Sequence, residues 1–115
     1  MSRIFVTDDS ILFLKAIKLT EASGLDRYHT IKEKGLNVAV FEKRIISAGN
    51  YYQKNTKEYI AAVGTFIYKN CKGREALRLL LEDFDGDVIK CKKECAGMYN
   101  MMIRKKSDFF IFGDY

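Results

Sequence analysis

Gly73-Arg74-Glu75-Ala76-Leu77-Arg78-Leu79-Leu80-Leu81-Glu82-Asp83-Phe84 is the stretch on which the fold turns. Leu77, Leu80, Leu81 and Phe84 recur at i, i+3, i+4 and i+7, the spacing that lays one apolar stripe along an α-helix. Such a stripe needs a sheet to cover, and strand-like runs flank it on both sides. Upstream, Glu58 to Tyr68 is a long β-prone run broken by Gly64, where a bulge or a close backbone approach is expected. Downstream, Asp85-Gly86-Asp87 ends the helix and caps a shorter one from Val88 to about Ala96, closed by Gly97. Met98 to Arg104 and Asp108 to Phe112 then read as a hairpin around Lys105-Lys106-Ser107. Phe109-Phe110-Ile111-Phe112 is apolar at every position, so this strand is expected to be covered on both faces.

The first half of the chain follows the same logic. Arg3 to Thr7 is a short β-branched run, and Asp8-Asp9-Ser10 supplies helix N-cap candidates. Ile11, Leu14 and Ile17, with Leu12, Ala16 and Leu19, predict a broad apolar helical face that stops near Gly24. Tyr28 to Lys34 and Leu36 to Phe41 are strand-like, with a turn at Gly35. Ser47 to Thr56 is turn-rich and is expected to be an exposed loop. The order is strand, helix, strands, helix pair, hairpin. It predicts one α+β domain over residues 1–115, a layered antiparallel sheet with helices.

The 115 residues are 48% apolar and 30% charged, a balance that belongs to a globular chain and not a disordered one. No apolar run approaches the roughly 20 residues of a membrane-spanning helix, so no membrane partner is expected. Met1-Ser2-Arg3-Ile4 does not begin a secretory signal, and three cysteines, an odd number, predict free thiols in a reducing compartment. A cytoplasmic protein is the expectation. The net charge of +5 is spread along the chain and interrupted by Glu75, Glu82, Asp83, Asp85 and Asp87. Nucleic-acid binding therefore rests on charge alone, without a zinc-finger, RNP-type or GXXG motif to support it.

Four groups of residues invite a chemical reading. Cys91 and Cys95 stand at i and i+4 with Val88 on one helix face, as half a metal site, a redox pair, or two small buried hydrophobes. Only Cys71 and His29 remain to complete a zinc site, so the pair is expected to be reduced and metal-free. His29, the single histidine, has no nucleophile motif around it and reads as a partly exposed strand residue. Asp83, Asp85 and Asp87 resemble a calcium loop only in composition. Gly86 stands at position 4 counted from Asp83, where an EF-hand needs glycine at position 6, and a capped helix connection explains them. Tyr51 and Tyr52 lie in the turn-rich stretch and either contact a partner or fold back onto the core. No phosphate-binding glycine loop is present, and no cofactor is expected.

Val63-Gly64-Thr65-Phe66-Ile67-Tyr68, Gly73-Arg74-Glu75-Ala76-Leu77, Gly97-Met98-Tyr99-Asn100-Met101-Met102-Ile103 and Phe109-Phe110-Ile111-Phe112-Gly113-Asp114 follow one another in a recognisable order. This order resembles the N-terminal glutamine-amidotransferase-type domain of the asparagine synthetase family, an N-terminal-nucleophile (Ntn) hydrolase fold. The resemblance runs over roughly residues 58–115. It implies an Ntn-type sandwich, here an incomplete one. It also implies chemistry that this chain has lost. The family's nucleophile is a cysteine exposed by removal of Met, and this chain has Ser2 there. The family's oxyanion-hole Asn corresponds to Val63, its substrate-holding Asp to Gly73 and its terminal Arg to Gly113, while Glu75 is retained. No ATP loop of the synthetase half is present. No catalytic residue is therefore assigned.

What remains is binding. The resemblance implies a non-catalytic amidotransferase-like domain that works through a protein partner, with Tyr51 and Tyr52 in the contact. The alternative is a small bacterial immunity or inhibitor protein that neutralises a toxin or other enzyme by direct binding.

Overall fold

The computed structural model describes residues 3–24, 27–33, 35–42 and 51–114. The chain divides into two compact units, Met1–Ser47 and Ala48–Tyr115. Its class is α+β, with helices on antiparallel sheets.

In the first unit, β1 (Arg3–Thr7) leads into α1 (Ser10–Ala22), followed by β2 (Arg27–Glu33) and β3 (Leu36–Glu42). The sheet order is β1-β3-β2, with both pairings antiparallel and β3 in the centre. Asp9 starts the helix by accepting from the backbone N–H groups of Ile11 (2.9 Å) and Leu12 (3.0 Å), two donors that a helix cannot satisfy itself. The face of α1 that packs keeps only Ile17 and the half-buried Ala16 from the expected one. Phe13, Ile17 and Thr20 are buried, the first two against Ala39 and Phe41 of β3 together with Phe5 and Tyr28. Ile11, Leu12, Leu14 and Leu19 point outward. The helix is apolar nearly all round, so periodicity could not choose between its faces. Phe13, the one aromatic on the helix, decided it by meeting the aromatic cluster of the sheet.

In the second unit, β4 (Tyr51–Asn55), β5 (Glu58–Tyr68), β6 (Cys71–Lys72), α2 (Gly73–Asp83), α3 (Val88–Glu94), β7 (Cys95–Lys105) and β8 (Asp108–Gly113) follow in order. The sheet runs β4-β5-β7-β8, with β6 also paired to β5. β5 has the expected bounds, and α2 lays Leu77, Leu80, Leu81 and Phe84 into a core shared with Phe66, Tyr99, Met101, Phe110 and Phe112. The Phe84 and Phe110 rings meet edge to face with centroids 4.9 Å apart. Each fully buried leucine contributes about 1.5–3 kcal/mol relative to exposure.

Three expectations are corrected here. Tyr51–Asn55 of the expected loop is strand β4, because Tyr51, Tyr52 and Gln53 pair in register with Ala61, Ile60 and Tyr59. The rest of that stretch before Tyr51 lies outside the described residues. Helix α3 ends at Glu94, and Gly97 is not its terminator but a residue inside β7. β8 is an edge strand, so Ile111 is exposed while Phe110 and Phe112 face the core.

The end of α2 is closed from a distance. The Lys105 ammonium donates to the carbonyls of Leu81 (2.5 Å), Glu82 (3.0 Å) and Phe84 (2.9 Å), groups the last helical turn leaves without partners.

Candidate functional site

Tyr51 and Tyr52 are consecutive on edge strand β4, so their rings project to opposite faces, and both are half-buried. The Tyr51 hydroxyl donates to Gln53 Oε1 at 3.0 Å, and burial pushes its pKa up to about 12. Tyr52 packs on the core of the second unit, with the Arg74 guanidinium 5.7 Å from its ring centroid. The two rings are thus partly committed to the fold. His29 lies exposed on β2, in the first unit. Among the described residues no cluster of three or more His, Cys, Asp or Glu side chains could hold a metal ion.

The three aspartates are each engaged. Asp83 accepts from the Tyr68 hydroxyl at 2.7 Å and pairs with the Lys69 ammonium at 2.7 Å. These bonds, Lys69 first, hold its carboxyl below the usual range, while burial and the bond to Asp83 push the Tyr68 phenol up. Lys69 is positioned by a tight turn: Lys69 and Asn70 take φ of 49° and 61°, the left-handed pair that joins β5 to β6. Asp85 accepts from the Asp87 N–H and pairs with Lys90, and Asp87 caps α3 by accepting from the Lys90 N–H. The cleft beside Tyr68, Asp83, Asp85, Lys90 and Cys91 has space for about one water molecule, too little for an organic substrate.

Cys91 and Cys95 are brought together at the junction of α3 and β7. Their sulfurs stand 3.9 Å apart, and the Cys95 N–H donates to the Cys91 carbonyl as the helix ends. Cys91 is buried, whereas Cys95 is half-buried. The Cys91 thiol, then the Tyr99 hydroxyl, favours the Cys95 thiolate and holds its pKa below the ordinary value. The same pairing, with burial, pushes Cys91 up. Tyr99 was not singled out in the sequence. It follows Cys95 by four residues, a spacing that reads as helix, but it stands on strand β7, in the core cluster that also holds the pair.

Two of the positions compared with the amidotransferase-type pattern share one row of the sheet. Val63 of β5 and Gly113 of β8 both lie directly opposite Asn100 of β7. The row therefore carries a single side-chain amide, exposed, where the resemblance would place Asn and Arg around it. Gly73 opens α2, and the Glu75 carboxylate is held by Arg78 Nε (3.1 Å) and Nη2 (2.5 Å), an intrahelical pair that draws its pKa down. Ser2 lies outside the described residues.

The outer face of α1 is the largest departure from expectation. Ile11, Leu12, Leu14 and Leu19 are between 55% and 73% exposed, and Lys15 and Lys18 are interleaved with them. No described helix is long and apolar enough to cross a membrane. Comparison with protein-family models, with curated proteins and with solved structures gives no match for this chain.

Proposed function

We propose that this chain is a non-catalytic, amidotransferase-like domain, of incomplete Ntn type, that works by binding a protein partner. What carries this reading is the outer face of α1. Four large apolar side chains on one short helix, open to water, form the kind of patch that marks an interaction surface. Lys15 and Lys18 within it favour an acidic rim on the partner and steer the encounter. Support for the amidotransferase-like part is the order of the motifs and the single row that unites Val63, Asn100 and Gly113. The half-buried rings of Tyr51 and Tyr52 on an edge strand offer a second, smaller contact. A cytoplasmic setting belongs to the same proposal, on the odd number of cysteines in the sequence.

Two assays test it. Leu12→Ser with Leu19→Ser removes apolar area from exposed positions and leaves the core intact. The double variant is expected to lower affinity for a co-purifying partner at least tenfold, with Tyr51→Ala giving a smaller loss. Association should also slow as salt rises, since exposed charges are screened over about 10 Å at 0.1 M. Unchanged affinity in the double variant excludes the α1 face. Separately, the protein is expected to release no ammonia from glutamine, because the family's oxyanion and substrate-holding positions carry no donor or carboxylate here. Turnover abolished by Ser2→Ala would overturn the non-catalytic assignment.

A further inference from the structure

We propose that Cys95 and Cys91 form a reversible thiol–disulfide pair, in which Cys95 takes up a small-molecule disulfide and Cys91 resolves it. Three observations place the chemistry at this junction. The sulfurs are already in contact at 3.9 Å, and the backbone bond from Cys95 to Cys91 fixes the two residues to each other. Closing to a covalent length of about 2.0 Å needs only a shift of roughly 2 Å, and Cys95 sits where the chain leaves the helix, with extended φ −97° and ψ 146°. Rotation there does not break the helical hydrogen-bond ladder.

The second observation is the division of exposure. Cys95 is half-buried, while Cys91 is only 4% exposed, so Cys95 is the more accessible of the two. That asymmetry assigns the attacking and the resolving roles. The third is Tyr99. Its side chain is 3% exposed and its hydroxyl makes no hydrogen bond among the described residues, and it shares the core cluster that holds both cysteines. Apolar packing of two thiols would not bring an unpaired phenol hydroxyl into their cluster. A thiolate at Cys95 gives that hydroxyl an acceptor. Cys71 takes no part. It and Cys95 flank Tyr68 from opposite sides of β5, two strand spacings or about 10 Å apart, beyond the reach of a disulfide.

The reaction balances with a low-molecular-weight disulfide, R–S–S–R, as oxidant. The Cys95 thiolate attacks one sulfur of R–S–S–R, forming Cys95–S–S–R and releasing the first thiolate, which takes a proton from solvent. Cys91 then attacks the Cys95 sulfur. The Cys91–Cys95 bond forms, the second R–S− leaves, and the Cys91 proton passes to it. Two electrons have moved from the protein dithiol to the reagent, giving two R–SH. The product ties the last turn of α3 to the first residue of β7.

Oxidised and reduced glutathione in defined ratios, followed by alkylation and mass spectrometry of the full chain, test the assignment. The expected product has lost two hydrogens and retains one alkylatable thiol, Cys71. Trypsin cuts after Lys92 and Lys93, so the bond appears as a peptide ending at Lys92 joined to residues 94–104. Cys91→Ser is expected to accumulate a mixed disulfide on Cys95, and Cys95→Ser to leave Cys91 unmodified. Tyr99→Phe should move the pH profile of Cys95 alkylation upward. For each pH unit moved, the rate at neutral pH falls about threefold, because thiolate is lost tenfold while its nucleophilicity rises by half as much on a logarithmic scale. The proposal fails if both thiols stay fully alkylatable in excess oxidised glutathione, or if the mixed disulfide forms on Cys71 or Cys91 in place of Cys95.

Discussion

Gly64 on β5 and Gly97 on β7 each leave room for the other strand's backbone. A Cβ on Gly64 would stand 2.2 Å from the Met98 carbonyl oxygen, and one on Gly97 would stand 2.1 Å from the Thr65 carbonyl oxygen. Both have left-handed backbone, with φ of 98° and 113°. The two kinks lie two register positions apart, Gly64 opposite Tyr99 and Gly97 opposite Phe66, in the longest strand pairing among the described residues.

Gly64→Ala and Gly97→Ala are each expected to cost at least about 2 kcal/mol, the sum of a left-handed Cβ and a steric clash that only backbone movement relieves. Gly86→Ala is the control. It shares the positive φ of 94°, but its Cβ would meet only the Phe110 ring at an ordinary 3.9 Å, so about 1 kcal/mol is expected. Urea denaturation of the three variants measures the difference, and equal losses would show that the close approach is not rigid.

Leu80→Ala is expected to cost about 2–5 kcal/mol, the transfer-plus-cavity penalty of a buried leucine. Leu80 is 2% exposed in the α2 core. An unchanged denaturation midpoint would mean that α2 does not pack on its sheet.

Lys105→Met keeps the aliphatic stem and removes the three bonds to the end of α2. A loss of about 1–2 kcal/mol is expected, as for a cation at a partly buried helix C-terminus. Faster amide exchange at the N–H groups of the last turn of α2 would localise it, and exchange no faster than in the wild type would show that the carbonyls find water instead.

Asp83 sets a pH dependence. Its carboxyl lies below the ordinary value because Lys69 and then Tyr68 bond to the charged form. A depressed pKa contributes stability that is complete above the unfolded value near 4 and is lost as pH falls through the folded one. The decline in stability below about pH 4 should therefore be shallower in Asp83→Asn than in the wild type. The contribution is small, since the pair is solvent-exposed. Parallel acid titrations of the two proteins would remove Asp83 from this role.

Much of the second unit was legible because its signals are redundant. The β5 run, the leucine stripe of α2 and the final hairpin each satisfy a periodicity that only one element type fits. β4 was not legible. Asn50, Gln53, Asn55 and Thr56 carry turn chemistry, and the strand forms because Tyr59, Ile60 and Ala61 offer an open sheet edge, a partner that local sequence cannot see. Gly97 was misread for a related reason. A glycine after a helix is read as its stop, yet the helix had already ended at Glu94 and the positive φ serves a kink in β7. The cysteine pair was visible as spacing, but neither the 3.9 Å contact nor the presence of Tyr99 in the same core cluster follows from spacing.

Local chemistry by itself determined the α+β class, the bounds of β1 and β5, a cap for α1 within Asp8-Asp9-Ser10, a cap for α3 within Asp85-Gly86-Asp87 and the buried stripe of α2, because each depends on residues within a turn or two of one another. Tertiary structure alone decided which face of α1 is buried, that Tyr51 and Tyr52 belong to a strand, and that Tyr99 joins the core cluster of the cysteine pair. Those outcomes depend on which surfaces are left to pair once the nearer contacts are made. An all-round apolar helix, a tyrosine and a thiol each fit several environments, and only the rest of the chain selects among them.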